Sequence, residues 1–220
     1  MPDVLVVLTH WKRTANLLIQ LESFAAQTVP VDIVVVDNGA AQLHEMRGRR
    51  GTLRDDVLEV ARDVYSMREN AGPSCRFVAP MMDLTHRWCL LYDDDAVPER
   101  GAVEYLLRCW DASFSSFSEI GSVGRRFAED EEGNRKYNRR DIPLTDGPQR
   151  ADMICRAHFF RTVDIVHVFE LRHKLRRVGV SAGQVAMHDD LLMLGMTATL
   201  KRPTLIPREP DGCKLIGREL

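Results

Sequence analysis

Three consecutive carboxylates, Asp93-Asp94-Asp95, come directly after the apolar run Trp88–Tyr92. Like charges this close repel, and strands disfavour Asp. A hard divalent cation removes the repulsion, and Mg²⁺ or Mn²⁺ bound by one or two carboxylates commonly carries substrate phosphates as well. The position is also the right one, because ligands of open α/β sheets bind outside the carboxyl ends of the strands. Side chains alternate in direction along an extended chain, so Asp93 and Asp95 can share one face and are the candidate metal ligands. A solvated acidic turn is the bland alternative. A second acidic group is His188-Asp189-Asp190, where an N-terminal helix dipole already accounts for the acids. A third is Asp37-Asn38-Gly39, which a turn explains unaided.

These residues need a frame that brings them to one edge. Val4–Leu8 reads as a buried parallel strand. Thr14 can cap a helix through about Ala26, with Leu17, Leu21 and Phe24 on one face. Val31–Val36 is a second buried strand, so the chain opens β-α-β with a crossover of the length a right-handed parallel unit requires. Residues 40–54 read as loop, Asp55–Asp63 as a short helix and Val64–Met67 as a third strand. Pro73 suits the first turn of a helical stretch reaching Leu84. Trp88–Tyr92 is the fourth strand, and Pro98 to Trp110 a helix. Beyond it, Gly121–Gly124 lies on a strand, 127–150 forms a loop or hairpin excursion, and Ala151–Arg156 is a strand. His158–Val178 is a helix, Asp189–Leu194 another, and Thr197–Ile206 the last strand. The fold class is α/β: a mixed, mainly parallel sheet flanked by helices.

The 220 residues, 45% apolar and 28% charged, have an ordinary globular composition and suit a single domain, 1–220. No apolar run approaches the roughly 18 residues of a membrane span. Asp3 stands where a secretory signal would be basic, so the expected location is cytoplasmic, without a membrane partner. Five cysteines and no CxxC indicate neither a disulfide framework nor a zinc ribbon. The net charge of −2 conceals an asymmetry. Residues 1–120 carry 12 basic against 18 acidic side chains, and residues 121–177 carry 13 against 9. The basic middle can face a polyanion.

The order VLVVLTHWKR, DIVVVDNGA, RENAGPSCRF, CLLYDDDAVPERG and HDDLLM resembles that of a GT-A fold glycosyltransferase, similar to the family 2 group, over nearly the whole chain. The resemblance implies a Rossmann-like GT-A fold with a nucleotide-sugar-binding half, 1–120, and an acceptor-binding half, 121–220. It implies a hexosyl- or pentosyltransferase using Mn²⁺ or Mg²⁺ and a nucleotide-sugar donor, a UDP-sugar before others. Thr9, His10 and Trp11 stand where the family's first loop packs on the base, and Asp37 where an acid hydrogen-bonds it. Asn70, Gly72 and Arg76 match the segment lining the donor site. Asp93, Asp94 and Asp95 match the D-x-D motif that holds metal and sugar-nucleotide. Asp190 matches the general base of inverting members, a proton-accepting task suited to a carboxylate. His188 is the candidate for the late His that some GT-A enzymes use as a metal ligand. Asp189 replaces the family's Glu, and the aromatic residues that usually precede the pair are absent.

The Arg-bearing stretch Gly124–Arg140 falls where GT-A enzymes differ in acceptor binding. Tyr137 among basic residues is compatible with nucleic acid; a solvated loop is the alternative, since Glu129–Glu132 sits in the same segment. Size and motif order also resemble the phage-type TET-associated glycosyltransferases, which put sugars on hydroxymethylated pyrimidines in DNA. That resemblance implies DNA containing 5-hydroxymethylcytosine or a related base as acceptor and partner, in a bacterial or phage-infected cell. The alternatives are a glycan or small-molecule acceptor, or a non-catalytic module that binds nucleotide or DNA.

Overall fold

The structure, a computed structural model, describes residues 2–39, 42–49, 51–113, 116–129, 132, 135–141, 148–186, 189–207 and 218–219. Strand β1 (Val4–His10), helix α1 (Thr14–Ala25) and strand β2 (Asp32–Asp37) open the chain. Two short helices, α2 (Gln42–Glu45) and α3 (Leu53–Leu58), lead to β3 (Asp63–Ser66). A 3₁₀ turn at Pro73–Phe77 runs into α4 (Val78–Met82). Strands β4 (Trp88–Tyr92) and β5 (Ala96–Val97) flank the acidic triplet, and α5 (Ala102–Ser113) comes next. Then come β6 (Glu119–Ile120), β7 (Val123–Glu129), β8 (Arg135–Asp141), β9 (Gln149–Ala151), β10 (Met153–Arg156) and β11 (His158–Arg161). Helices α6 (Ile165–Arg177), α7 (Ala182–Ala186) and α8 (Asp189–Leu200) precede β12 (Thr204–Ile206) and β13 (Arg218–Glu219).

The main sheet has the order β3-β2-β1-β4-β11-β6-β12-β9. Strands β1 to β4 are parallel, β11 runs antiparallel between β4 and β6, and β12 is parallel to β6. Because β1 lies between β2 and β4, the winding reverses beside it, and a crevice opens at the carboxyl ends of β1 and β4. Both faces of the sheet are covered, which explains why the strands read as unbroken apolar runs. Val4, Val6 and Leu8 pack with Leu17, Leu21, Phe24 and Leu106 on one face, while Leu5 and Val7 pack with Phe77, Ile165 and Met196 on the other. A second, antiparallel sheet, β10-β7-β8, carries the basic stretch as a hairpin, and β13 pairs with β5 beside the triplet.

Four sequence readings are corrected. The helix expected over His158–Val178 begins only at Ile165, because His158–Arg161 forms a strand paired with Trp88–Leu91. The strand expected over Thr197–Ile206 shrinks to Thr204–Ile206. Its first part continues α8, where Met193, Met196 and Thr197 are buried at helical spacing. Residues 40–54 are not all loop: Thr52 and Asp55 form a reciprocal capping box that starts α3. Thr14 does not cap α1, whose N-cap is Arg13 without a side-chain bond; its hydroxyl meets His10 Nε2 at 3.0 Å.

Gly121 sits where the two sheets cross. A Cβ there would lie 2.1 Å from Ile154 Cγ2 and 3.1 Å from Ile154 Cβ, a branched carbon that cannot swing away. Gly121→Ala is therefore expected to lower stability by about 1–3 kcal/mol. Gly183→Ala, with nothing within 4 Å of its new carbon, is expected to be neutral or slightly stabilising. Denaturant midpoints of the two variants test the contrast.

Candidate functional site

A cavity of about 560 Å³ occupies the switch-point crevice. Thr9, Trp11, Lys12 and Arg13 line it from the end of β1, and Asn38 from the end of β2. Asn70, Gly72, Pro73 and Arg76 form another wall, Tyr92 and Asp93–Asp95 the floor beyond β4, and Cys155 and Asp189 the far side. Trp11 is 44% exposed at the mouth, with Lys12 Nζ 4.8 Å from its ring centroid. Lys12 itself takes a left-handed backbone (φ 67°), a strained geometry for a residue with a Cβ.

Four carboxylates meet here, and arginines from separate elements compensate them. Arg76 is 5% exposed; its Nη1 donates to Asp93 Oδ1 at 2.7 Å, and Nη2 pairs with Asp189. One guanidinium thus ties the triplet to the start of α8. Arg13 Nη1 donates to Asp94 Oδ1 at 2.9 Å. Burial pushes the Asp94 carboxyl above its ordinary value, and the charges of Asp95 and Asp93 push the same way against the pull of Arg13. Arg156 Nη2 stands 3.8 Å from Asp95 Oδ2. The other oxygen, Asp95 Oδ1, is buried without a hydrogen-bond partner among the described residues.

That orphaned oxygen is the fit test for a divalent cation, and the donor chemistry passes it: a carboxylate oxygen suits Mg²⁺ or Mn²⁺. Among the described residues, no group of three or more His, Cys, Asp or Glu side chains can hold an ion by itself. A cation here would take one or two carboxylates and complete its shell with water and phosphate oxygens, the usual Mg²⁺ arrangement.

The loops are fixed by polar contacts. Asn38 Nδ2 donates to Asn70 Oδ1 at 2.9 Å and to the Gly72 carbonyl at 3.2 Å, while Asn38 Oδ1 accepts from Ala71 N at 2.8 Å. These bonds hold Gly72 at φ 75°, from which the 3₁₀ turn launches Arg76. Along α1, polar side chains at helical spacing bind the backbone around the triplet. Gln20 Nε2 donates to the carbonyls of Asp93 (2.6 Å) and Ala96 (2.7 Å), and Asn16 Nδ2 to that of Asp94 (2.9 Å). Further along, Ser23 Oγ donates to the Pro98 carbonyl at 2.8 Å and Gln27 Nε2 to that of Glu99 at 2.9 Å.

Of the residues expected from the sequence, Thr9, Trp11, Asn70, Gly72, Arg76, Asp93, Asp94 and Asp95 are brought to this one cavity. His10 and Asp37 do not line it. Both are buried beneath it, with His10 Nδ1 3.0 Å from Asp37 Oδ1, and Gly39 N (3.2 Å) and Leu43 N (3.1 Å) donating to the same carboxylate. Asp190 lies on α8, where its backbone alone is described, and His188 lies outside the described residues. Arg76 takes one oxygen of Asp93, Oδ1, and Arg156 stands near one oxygen of Asp95, Oδ2. Sequence reasoning passed over Lys12, Arg13 and Arg156, and named Asp189 only as a member of the acidic group His188-Asp189-Asp190. It also passed over Asn16 and Gln20, although polar residues on the buried stripe of an apolar helix are a readable signal.

No protein-family model and no curated protein sequence matches the chain. Solved structures do match in shape. S. aureus TarS 1-349 superimposes with a TM-score of 0.60 at 14% identity, covering 94% of this chain and 58% of that one. Its complex with UDP gives 0.61 at 15% identity, again over 94% and 58%. Its complex with UDP-GlcNAc gives 0.59 at 14% identity, over 94% and 56%. The chain has a GT-A fold. It spans a little over half the length of the structures it matches. Among the described residues, no helix is long and apolar enough to cross a membrane.

The buried Asp37 pair carries a pH signature. Burial alone would raise the Asp37 carboxyl, but His10 and the N–H groups of Leu43 and Gly39 outweigh it and hold the group below the ordinary 3.8. A depressed folded pKa stabilises the fold above the unfolded value, and the contribution is lost as pH falls through the folded one. Asp37→Asn is expected to cost about 1–3 kcal/mol at pH 7. Between pH 7 and 3 it should also lose less stability than the parent, as read from denaturation midpoints across that range.

Proposed function

We propose that this chain is a glycosyltransferase that moves a sugar from a nucleotide-sugar donor, a UDP-sugar before others, to a hydroxyl acceptor. The observation that carries this reading is the cavity itself. One crevice of a GT-A fold combines a half-exposed Trp, three cationic side chains and an acidic triplet, and solved structures of like fold include complexes with UDP and UDP-GlcNAc. Trp11 offers a flat apolar face to a base. Lys12 and Arg13 offer positive charge to a diphosphate. Thr9, Asn70 and Gly72 shape the donor wall, and Arg76 holds Asp93 in place. A divalent cation, held by Asp95 with Asp93 or Asp94, would supply charge neutralisation for the departing nucleoside diphosphate.

Asp189 is engaged by Arg76, which leaves Asp190, one position further on α8, as the base. In this reading the acceptor oxygen attacks the anomeric carbon and its proton passes to the Asp190 carboxylate. The bond to the diphosphate breaks, and the leaving group departs with the electron pair. The reading divides the chain into a donor half, 1–120, and an acceptor half, 121–220.

For the acceptor we favour a hydroxymethylated pyrimidine in DNA. The β7–β8 hairpin carries Arg125, Arg126, Arg135, Lys136, Tyr137, Arg139 and Arg140, groups of the type that contact phosphate, in a segment that also holds five acidic residues. The target base would leave the stack to reach the cavity.

Incubation with UDP-sugars and Mn²⁺ tests the donor half without a known acceptor, by slow release of UDP. Asp95→Ala is expected to cut release at least about 100-fold, whereas Asp190→Ala should retain UDP binding. Release untouched by Asp95→Ala overturns the cation assignment. UDP with Mn²⁺ is also expected to protect Cys155, in the cavity wall, from alkylation. Cys75, pushed up to about 12 by burial, and the fully buried Cys89 should stay unreactive throughout. Duplex retention that falls steeply with salt supports the DNA acceptor, and no retention at low salt excludes it.

A further inference from the structure

We infer that Asn16 and Gln20 are positioning residues for the donor site, acting through the backbone of the acidic triplet; the inference rests on the donor reading above. Gln20 is fully buried, yet it occupies the stripe of α1 that Leu17, Leu21 and Phe24 fill with apolar side chains. A buried amide costs stability unless its hydrogen bonds are made, and Gln20 Oε1 makes none among the described residues. Here its Nε2 makes two, to the carbonyls of Asp93 and Ala96, and so pins both ends of the turn that contains Asp94 and Asp95. Asn16, one helical turn earlier, donates to the carbonyl between them, that of Asp94. Three of the four carbonyls from Asp93 to Ala96 are therefore held by two side chains of one helix.

The consequence is a matter of charge geometry. Asp93, Asp94 and Asp95 are adjacent carboxylates whose mutual repulsion favours an opened turn. Clamping the carbonyls fixes the backbone and leaves the carboxylates pointing where a diphosphate and its cation can use them. Satisfied donors aimed at the carbonyls also add positive partial charge on the side of the chain away from the cavity. Ser23 and Gln27 extend the same ladder to Pro98 and Glu99, beyond the triplet, and supply an internal control.

The test compares Asn16→Ala, Gln20→Leu and Ser23→Ala by calorimetric UDP binding in Mn²⁺ and by amide hydrogen exchange over residues 93–97. Asn16→Ala leaves the buried core untouched and keeps the test open if Gln20→Leu folds poorly. Asn16→Ala and Gln20→Leu are expected to weaken UDP binding about tenfold and to speed exchange at 93–97. Ser23→Ala should change neither, although it also deletes a partly buried hydrogen bond. Parent protein that takes up no UDP overturns the donor reading and this inference together. Parent protein that binds UDP, with Asn16→Ala and Gln20→Leu binding equally well, overturns this inference alone.

Discussion

Concentrated negative charge at one sheet edge governs everything at the site. Asp93, Asp94, Asp95 and Asp189 crowd a single crevice, and such a group holds its shape only if positive charge is built in around it. The chain supplies it from three directions: Arg13 from the β1–α1 loop, Arg76 from the 3₁₀ turn and Arg156 from β10. Arg76 is the most consequential of these. It is buried, and removing one partner of a buried ion pair costs about 3–5 kcal/mol because the remaining charge is stranded. Its two-pronged contact also couples segments that are far apart in sequence, the end of β4 and the start of α8. A lysine could match the charge but not the fork.

Charge compensation alone does not place a carboxylate; the backbone beneath it must be still. The parallel strands provide stillness up to Tyr92, with both faces covered. Beyond Tyr92 the ladder ends, and α1 takes over by hydrogen-bonding the chain carbonyl by carbonyl. On the neighbouring wall Asn38 and Asn70 do the same for the loop carrying Gly72. In both places short amide side chains stand in for a sheet partner, as buried carbonyls require. The Asp37–His10 pair belongs to this supporting layer: it anchors the turn after β2 from below the cavity.

Much of the fold of residues 1–120 was legible in the sequence because its signals are local. Val4–Leu8, Val31–Val36 and Trp88–Tyr92 are apolar runs that only a doubly covered sheet explains, and parallel pairing gives them a shared carboxyl edge. The triplet announced itself through chemistry that a strand end does not otherwise need. The features that stayed hidden depend on partners distant in the chain. His158–Arg161 shares helical spacing with Ile165–Arg177, but its pairing with β4 decides its conformation. Asp37, which the resemblance places against a base, is buried against His10, a partner 27 positions away. Gln20 looked like an ordinary helix residue, since the carbonyls it serves lie 73 and 76 positions later.

The two halves of the chain also solve opposite electrostatic problems, which the net charge of −2 hides. The first 120 residues carry the acidic excess, and a cation and diphosphate together are nearly neutral to it. Residues 121–177 carry the basic excess, and most of it lies beyond the β7–β8 hairpin: segment 123–141 has six basic and five acidic side chains, whereas α6 carries Arg172, Lys174, Arg176 and Arg177 against Glu170. An acidic crevice on its own would repel a polyanion. Basic side chains elsewhere on the chain offset that repulsion only within a Debye length of about 8–10 Å, because salt screens them beyond it. A polyanion drawn to this chain would therefore be held only where basic surface lies close, and a neutral ligand would gain nothing from the asymmetry.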